Sequence, residues 1–356
     1  MSNPDPATRA WVDVDLAALL ANARTIQTAS GVRLLPMVKA NAYGLGVVPV
    51  TRALEALDPW GYGVATVSEG AELRDARIAR PIVVFSPFRA ADTEGYLRHG
   101  LRPSIGDRDA LLAWLAAGGR PFHLDIDTGM SRSGFRWDES REIAELRPLL
   151  DGAAGWEGIY THFHSSERDP AATERQWQRF MEVLAAMPRR PQLIHAANSG
   201  AALRGPRYAG DLVRPGIFLY GGRAGDIGPR PVAALRARVL ATRQVPTGES
   251  VSYGATWSAP RDTLVATVGV GYADGVHRSL SGVGTIELGR QVVPIVGRVT
   301  MDFTMVAAPA GCVPGDVATI FGGLVSLDAQ AEAAGTISYE LLTALGGRLA
   351  RRYDET

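Results

Sequence analysis

The sequence predicts an α/β protein with two domains, an N-terminal (β/α)8 TIM barrel followed by a C-terminal mostly-β domain. Two observations predict this fold class. Between Leu34 and about Gly222, short apolar runs alternate with segments of helix length. After Gly225 the pattern changes to short alternating strands separated by Gly, Pro and Asp turns. Eight strand–helix units in about two hundred residues are typical of a (β/α)8 barrel, and the second pattern indicates a separate β domain.

The predicted barrel strands are apolar runs with intervening helical periodicity. Helical segments include Ser68–Ile78 and Pro170–Met187, and Asp15 can cap a first helix with one apolar face. In chain order the predicted strands are Leu34–Val38, Tyr62–Thr66, Ile82–Phe85, Leu101–Ile105, Phe122–Ile126, Gly158–His162, Leu193–Ala197 and Leu212–Tyr220.

The start of the chain is also predicted to belong to the β domain. Trp11–Val14 has the pattern of a strand that precedes the barrel, and we expect it to join the sheet of the β domain. The predicted organisation is therefore an N-terminal strand segment in residues 1–14, the barrel in 15–225 and the β domain in 226–356. Predicted strands of the β domain include Leu264–Val270, Gln291–Val296, Met301–Ala307 and Val317–Phe321.

Composition excludes several classes of partner. The 37 basic and 37 acidic residues balance, so no net field favours nucleic acid or an anionic membrane. The first ten residues have no basic region followed by an apolar one, as a secretory signal peptide would have, and no stretch approaches the ~20 apolar residues of a membrane span. Cys312 is the sole cysteine, which excludes an intrachain disulfide and a cysteine-based zinc cluster. We expect a cytoplasmic protein with no membrane partner and no bound metal.

Polar residues that can take part in catalysis or ligand binding lie at the carboxyl ends of the predicted barrel strands. Barrel enzymes build their active sites at this end. Lys39, the only lysine in the chain, ends the first run. Its apolar neighbours remove water and so favour the neutral amine that forms an imine with an aldehyde. Ser199 and the backbone around Gly216 could hold a phosphate. The predicted rim comprises Lys39, Asp127, Arg132, His162, Asn198, Ser199, Arg214 and Gly216.

Nine segments resemble the motifs of alanine racemases, in family order and over nearly the whole chain. The first contains Lys39 and looks like the cofactor-lysine motif of that family. The segments are Met37–Gly46 (MVKANAYGLG), His123–Arg132 (HLDIDTGMSR), Tyr160–Phe163 (YTHF), His195–Ser199 (HAANS), Arg214–Ile217 (RPGI), Val251–Thr256 (VSYGAT), Gly271–Gly275 (GYADG), Arg298–Asp302 (RVTMD) and Thr336–Glu340 (TISYE).

The resemblance implies a homodimer with composite active sites that interconverts L-alanine and D-alanine. Lys39 would carry pyridoxal 5'-phosphate and act as the base on one face of the substrate Cα. Tyr253 of the other subunit would act on the opposite face, because inverting a carbon requires a proton to leave one side and arrive on the other. Free tyrosine is a weak base at neutral pH, and His162 and Arg214 would assist it.

The resemblance also implies the remaining contacts of the cofactor and the amino-acid substrate. Arg214 would face the pyridine nitrogen; because guanidinium only donates hydrogen bonds, it would leave that nitrogen unprotonated. Arg132 would contact the cofactor's phenolic oxygen and the substrate. Residues implied around the phosphate and cofactor are Tyr43, Asn198, Ser199, Gly216, Ile217 and Tyr339, and those implied on the substrate side are Met301, Asp302 and Tyr272.

Some positions depart from the family pattern. Asp125 stands where many relatives have a lysine that is carbamylated in use, and direct pairing of Asp125 with Arg132 is our hypothesis. His164 and Thr300 replace residues that are usual near the substrate, so racemisation of serine or another amino acid is the alternative. An amino-acid decarboxylase and a cofactor carrier without turnover are rival interpretations. The cysteine and acidic residues that such a decarboxylase has near its C-terminus find no match in this chain around Cys312, and a carrier would not need Tyr253.

Overall fold

The computed structural model describes residue 5 and residues 7–354. Residues 1–4, 6, 355 and 356 lie outside the described part, and with them parts of the predicted segments 1–14 and 226–356.

Eight parallel strands form a closed barrel, as the sequence predicts. Six of them pair consecutively in chain order. The last strand pairs in parallel with the first, and Met37 bridges to Gly63 of the second. The Arg214 amide donates to the Ala197 carbonyl at 2.8 Å and closes the ring beside the seventh strand. The barrel strands are Arg33–Leu34, Tyr62–Val64, Ile82–Pro87, Arg102–Ile105, Phe122–Asp127, Trp156–Tyr160, Leu193–His195 and Leu212–Val213; Phe135–Arg136 adds a short pair beside the fifth.

The first and last barrel strands are shorter than predicted. The regular part of the first strand has two residues. Pro36 has no N–H to donate, although its carbonyl accepts from the Gly63 amide at 2.9 Å and the Met37 amide donates to the Pro215 carbonyl at 2.9 Å. The last ends at Val213 instead of Tyr220, since Pro215 interrupts it and Ile217–Tyr220 turns into a 3₁₀-helix. Lys39, Arg214 and Gly216 therefore lie beyond these two strand ends, where the chain can aim side chains and N–H groups into the barrel mouth.

Helices cover the outside of the barrel. The first begins where predicted, because the Asp15 carboxylate accepts from the Ala18 amide at 2.7 Å. It ends at Gly31, whose φ of 71° suits glycine. Among the described residues, no helix has the length and apolar character needed to cross a bilayer. The helices of this part are Leu16–Ser30, Val47–Leu54, Val67–Asp75, Thr93–His99, Arg108–Ala116, Ser140–Asp151, Pro170–Ala186 and Ser199–Leu203.

The β domain is organised around the long strand Ala233–Val245. The strand Ala10–Asp15 pairs antiparallel with this long strand along one edge. Along its other edge, Ala10–Asp15 pairs in parallel with Ala350–Asp354. The sequence pattern does not predict that last strand, because its arginines and aspartate are typical of a solvated segment. The other strands of this domain are Ser250–Val251, Trp257–Ser258, Thr263–Val268, Thr285–Leu288, Gln291–Pro294, Thr304–Ala307 and Val317–Phe321, with helices Leu327–Ala333 and Ser338–Thr343.

Candidate active site

A cavity of about 650 Å³, counted with its open mouth, lies at the carboxyl ends of the barrel strands. All ten residues that the sequence assigned to cofactor binding line it. Three lining residues were missed: Met37 and Tyr160, which stand inside the quoted motifs, and Phe85, which ends a predicted strand. The predicted lining residues are Lys39, Tyr43, Arg132, His162, Asn198, Ser199, Arg214, Gly216, Ile217 and Tyr339.

Lys39 enters this cavity directly after the buried Val38. Burial and the nearby positive charge of Arg132 lower the pKa of its ammonium group, and Glu69 opposes them. The fraction of neutral amine is therefore larger than for a lysine in water, and the neutral amine is the nucleophilic form.

The chain after Lys39 makes a left-handed turn without glycine. Ala40, Asn41, Ala42 and Tyr43 all have φ between 52° and 54°. Such a conformation costs roughly 1–2 kcal/mol per residue for L-amino acids, so neighbouring groups must hold it. The Glu69 carboxylate accepts from the Ala40 amide at 2.7 Å. The Asn41 side chain accepts from the amide of Val47, also at 2.7 Å. Sequence patterns gave no signal for this turn.

Ser199, Gly216 and Tyr43 line the same cavity as Lys39 and form a cradle that could hold an anion. The Gly216 amide donates to the Ser199 hydroxyl at 2.9 Å. A Cβ at Gly216 would stand 2.3 Å from the Tyr43 hydroxyl, so only glycine permits this approach. Burial raises the pKa of the Tyr43 and Tyr339 phenols. Both hydroxyls remain protonated at neutral pH and can donate hydrogen bonds to phosphate oxygens.

Arg214 lies on the floor of the cavity and is almost completely buried. Its Nη1 donates to His195 Nδ1 at 2.7 Å and to the His195 carbonyl at 2.8 Å. Its Nη2 donates to the carbonyls of Thr161 and Ala196 at 2.6 and 3.0 Å. Burial lowers the pKa of Arg214 to about 10, so the guanidinium is still charged at neutral pH. Within the described part of the chain, its Nε–H has no acceptor.

His162 stands next to this guanidinium, as the sequence predicts. Its Nδ1 is 3.5 Å from Nη2 of Arg214, a long contact at the limit of hydrogen bonding. Burial, followed by the charges of Arg214 and Arg132, lowers the pKa of His162 to about 3. The imidazole is therefore neutral at neutral pH and can accept a proton or a hydrogen bond.

The hypothesis of direct pairing between Asp125 and Arg132 is wrong for this structure. No ion pair joins these two side chains, both of which lie in the described range 7–354. Asp125 instead accepts from the Ser133 hydroxyl at 2.7 Å. The left-handed φ of 55° at Ser131 turns the loop so that Ser133 meets the carboxylate while Arg132 stays exposed. Burial raises the pKa of Asp125 to about 6, although Ser133 and Arg132 oppose this.

The predicted substrate residues of the β domain lie outside the cavity. Tyr253, Met301 and Tyr272 expose 73%, 52% and 43% of their surface. Their loops are tied together, since the Tyr272 amide donates to the Thr300 carbonyl at 3.0 Å and the Ser252 hydroxyl to the Arg298 carbonyl at 2.7 Å. We call the exposed patch formed by Tyr253, Tyr272 and Met301 the β-domain face.

Asp302 borders this face, and its carboxylate is already paired with an arginine. It accepts from Arg348 Nη1 at 2.8 Å. Arg348 and Arg9 also bind the buried carboxylate of Asp274, which in turn accepts from the Gly271 amide at 3.0 Å. The ion pairs hold the Met301–Asp302 turn against the turn that carries Tyr272.

Comparison with known proteins assigns the family. Residues 14–224 match the alanine racemase N-terminal domain, and residues 232–353 match the alanine racemase C-terminal domain. The alanine racemase of Chlorobaculum tepidum is 40% identical over 361 aligned residues, covering 95% of this chain and 94% of that protein.

Solved structures agree with this assignment over the full length. Alanine racemase from D-cycloserine producing Streptomyces lavendulae has a TM-score of 0.91 and 31% identity, covering 100% of this chain and 98% of that chain. Alanine racemase from Bartonella henselae, solved with covalently bound pyridoxal phosphate, has a TM-score of 0.91 and 29% identity, covering 98% of this chain and 100% of that chain. The α/β fold of a barrel and a β domain is thus shared with these enzymes. The chain belongs to the alanine racemase family.

Proposed function

We propose that this protein is an isomerase that interconverts L-alanine and D-alanine with pyridoxal 5'-phosphate on Lys39. The observation that carries the proposal is the single cavity in which the only lysine, an anion cradle and a buried arginine converge. Racemisation of serine or another amino acid is the alternative. His164 is exposed and the Thr300 hydroxyl donates to the Phe303 carbonyl, so neither replacement fills the cavity.

The residues present fit this cofactor. The cradle at Ser199, Gly216 and Tyr43 matches a phosphate, and the free Nε–H of Arg214 matches a ring nitrogen that accepts a hydrogen bond. When bound, the cofactor withdraws electrons from the substrate Cα and acidifies its proton. Asn198, Ile217 and Tyr339 complete the proposed phosphate and cofactor contacts.

Two bases on opposite faces of Cα would carry the proton. The Lys39 amine, with its lowered pKa, is the proposed base on the barrel side. The proposed opposite base is Tyr253 of a second copy, since the exposed tyrosine of the same chain does not line the cavity. Neutral His162 and charged Arg214 would accept and stabilise a hydrogen bond from that tyrosine. The proposal therefore requires a homodimer with composite sites.

The substrate carboxylate would be held from both subunits. Arg132 supplies a positive charge at the cavity mouth, and the Met301 backbone N–H would donate from the β-domain face. Asp302 would contribute by fixing its turn through Arg348, and Tyr272 would border the entrance.

Borohydride reduction followed by peptide mapping tests the cofactor assignment, and loss of optical rotation with a panel of L-amino acids tests the reaction. We expect label on Lys39 and the fastest racemisation with alanine. Label elsewhere, or label without racemisation of any amino acid, would overturn the proposal. Faster racemisation of serine would favour the alternative.

The biological setting and the domain limits are further parts of the proposal. We propose a cytoplasmic enzyme that supplies D-alanine, with the barrel in residues 15–225 and the β domain formed by 1–14 and 226–356. Fractionation of cells followed by immunodetection tests the location, and limited proteolysis near residues 225–226 tests the boundary.

A further inference from the structure

A column of five polar side chains runs through the barrel beneath the cavity, where TIM barrels usually hold branched apolar residues. Glu157 Oε1 accepts from Arg102 Nη2 at 3.2 Å, and Glu157 Oε2 is 3.2 Å from His123 Nε2. His123 Nδ1 is 2.8 Å from His195 Nε2, and His195 Nδ1 is 2.7 Å from Arg214 Nη1. We call Arg102, Glu157, His123, His195 and Arg214 the polar column.

The two ends of the polar column fix the direction of every hydrogen bond in it. Arg214 can only donate, so His195 Nδ1 must accept and His195 Nε2 must carry the proton. His195 then donates to His123 Nδ1, and His123 Nε2–H donates to the carboxylate. Burial alone would raise the pKa of Glu157, but hydrogen bonds from His123 and Arg102 hold it at about 2. Glu157 is therefore ionised and can only accept.

The packing around the column holds both imidazole rings in place. A Cβ at Gly158 would stand 2.6 Å from His123 Nδ1, so glycine leaves the space that this ring occupies. Tyr160 stacks on His195 with ring centroids 5.1 Å apart. Both histidines are completely buried, and all four of their ring nitrogens have partners. Buried polar networks stabilise one arrangement only when every member is satisfied.

We infer that Glu157, His123 and His195 are positioning residues that fix the tautomer of His195 and thereby hold the Arg214 guanidinium with its Nε–H available to the cavity. The inference rests on the proposed function, in which that N–H faces the cofactor ring nitrogen. With the opposite tautomers, an N–H of His195 would point at an N–H of Arg214, and the arginine would have to move.

The unmodified protein gives the first test. In protein labelled with ¹⁵N-histidine, long-range ¹H–¹⁵N spectra distinguish the two neutral tautomers, and His123→Asn and His195→Asn variants assign the signals. We expect both rings to be neutral with the proton on Nε2, with or without pyridoxal 5'-phosphate. A proton on Nδ1 of His195, or a doubly protonated ring, would overturn the inference. This measurement requires neither activity nor a folded Glu157 variant.

Glu157→Gln tests the consequence at the cavity. The amide must place its NH2 group against a donor, either Arg102 or His123, so the column loses its single direction. We expect a changed His195 tautomer signal and affinity for pyridoxal 5'-phosphate weakened by about tenfold, the lower range for loss of an outer-shell partner. Glu174→Gln is the matched control, because Glu174 accepts from Arg207 and Tyr208 away from the cavity.

The outcomes separate this inference from the proposed function. Suppose that the unmodified protein racemises alanine. If Glu157→Gln then has the same histidine spectra and the same cofactor affinity as the unmodified protein, the positioning role is wrong. A parent protein that shows the expected tautomers but racemises no amino acid would overturn the proposed function instead. If Glu157→Gln does not fold, the tautomers of the unmodified protein decide.

Discussion

The barrel and the β domain hold their predicted site residues in opposite ways. Nine such residues of the barrel line one cavity together with Tyr339 of the β domain, and Ser199 and Arg214 are buried. On the β-domain face, Tyr253 and Met301 expose more than half of their surface. The difference supports the proposal that the barrel of one chain holds the cofactor, while its β-domain face contributes residues to the site of a second copy. In the proposed homodimer, the cavity of the partner would cover the β-domain face and fix the positions of its exposed side chains.

Burial in the barrel also shifts the pKa values of its predicted site residues. Burial lowers the pKa of Lys39 and brings that of His162 to about 3, while Arg214 keeps its charge with a pKa of about 10. The barrel thus sets the protonation states of its groups before any substrate arrives. This preorganisation is what a low-dielectric site contributes to catalysis.

The largest expected effect comes from separating the two halves of the composite site. Lys39→Ala and Tyr253→Phe should each reduce racemisation by about 10²–10⁴-fold, the usual contribution of an acid–base group. Co-expressed in equal amounts, the two variants should recover about a quarter of the wild-type rate, because half of the dimers are mixed and each has one intact site. Each variant alone is the control. No recovery in the mixture would show that the site is not shared.

The single variant Tyr253→Phe sharpens the assignment of faces. If Tyr253 serves one face of Cα only, exchange of the α-hydrogen with deuterated solvent should fall much more for one enantiomer of alanine than for the other. Proton NMR of each enantiomer in D₂O measures this. Equal loss of exchange for both enantiomers would contradict the two-base assignment.

A smaller effect is expected from closing the anion cradle. In Gly216→Ala, the new Cβ would stand 2.3 Å from the Tyr43 hydroxyl. Overpacking of this kind costs about 1–3 kcal/mol, and we expect affinity for pyridoxal 5'-phosphate to fall by about tenfold. Gly228→Ala is the control, since nothing lies within 4 Å of its Cβ position. Equal cofactor affinity in both variants, measured by fluorescence titration, would exclude the cradle as the phosphate site.

The buried carboxylate of Asp125 predicts a pH dependence of stability. Burial raises its pKa from 3.8 to about 6, so the unfolded chain releases this proton at lower pH than the folded one. The stabilising effect is full below pH 3.8 and is lost as the pH rises through about 6. Asp125→Asn should therefore gain about 2–3 kcal/mol over the wild type at pH 7 and little at pH 4. Urea unfolding at both pH values measures it, and an equal difference at both would contradict the assignment.

The smallest expected effect lies at the junction of the two regions. Asp15 ends the strand of the β domain and caps the first barrel helix through the Ala18 amide. Asp15→Ala should lower the free energy of unfolding by about 1 kcal/mol without changing the affinity for the cofactor. Asp15→Asn retains a capping oxygen and should behave like the wild type in the same denaturation experiment. A weakened cofactor affinity in Asp15→Ala would show that the junction also shapes the cavity.

Predictions from the sequence succeeded where the signal is local in the chain. Apolar periodicity placed all eight barrel strands, and the motif around Lys39 identified the cavity that the fold assembles. Strand ends were less accurate, because Pro36 and Pro215 lack an amide hydrogen and the regular strands stop before them, although the Met37 amide still donates to the Pro215 carbonyl. The strand Ala350–Asp354 was missed, since its charged residues pair with a neighbour from the start of the chain.

By itself, the sequence determined the fold class, the family and the chemical identity of the rim, since these follow from periodicity and from residue types in order. Only the tertiary structure decided which groups touch. Ser133 rather than Arg132 meets Asp125, because a left-handed residue turns the loop. Likewise Glu157 and His195 join one column although they are far apart in the chain. Differences of a few tenths of an ångström decide whether a hydrogen bond forms, and the distances between these groups are fixed only when the barrel closes.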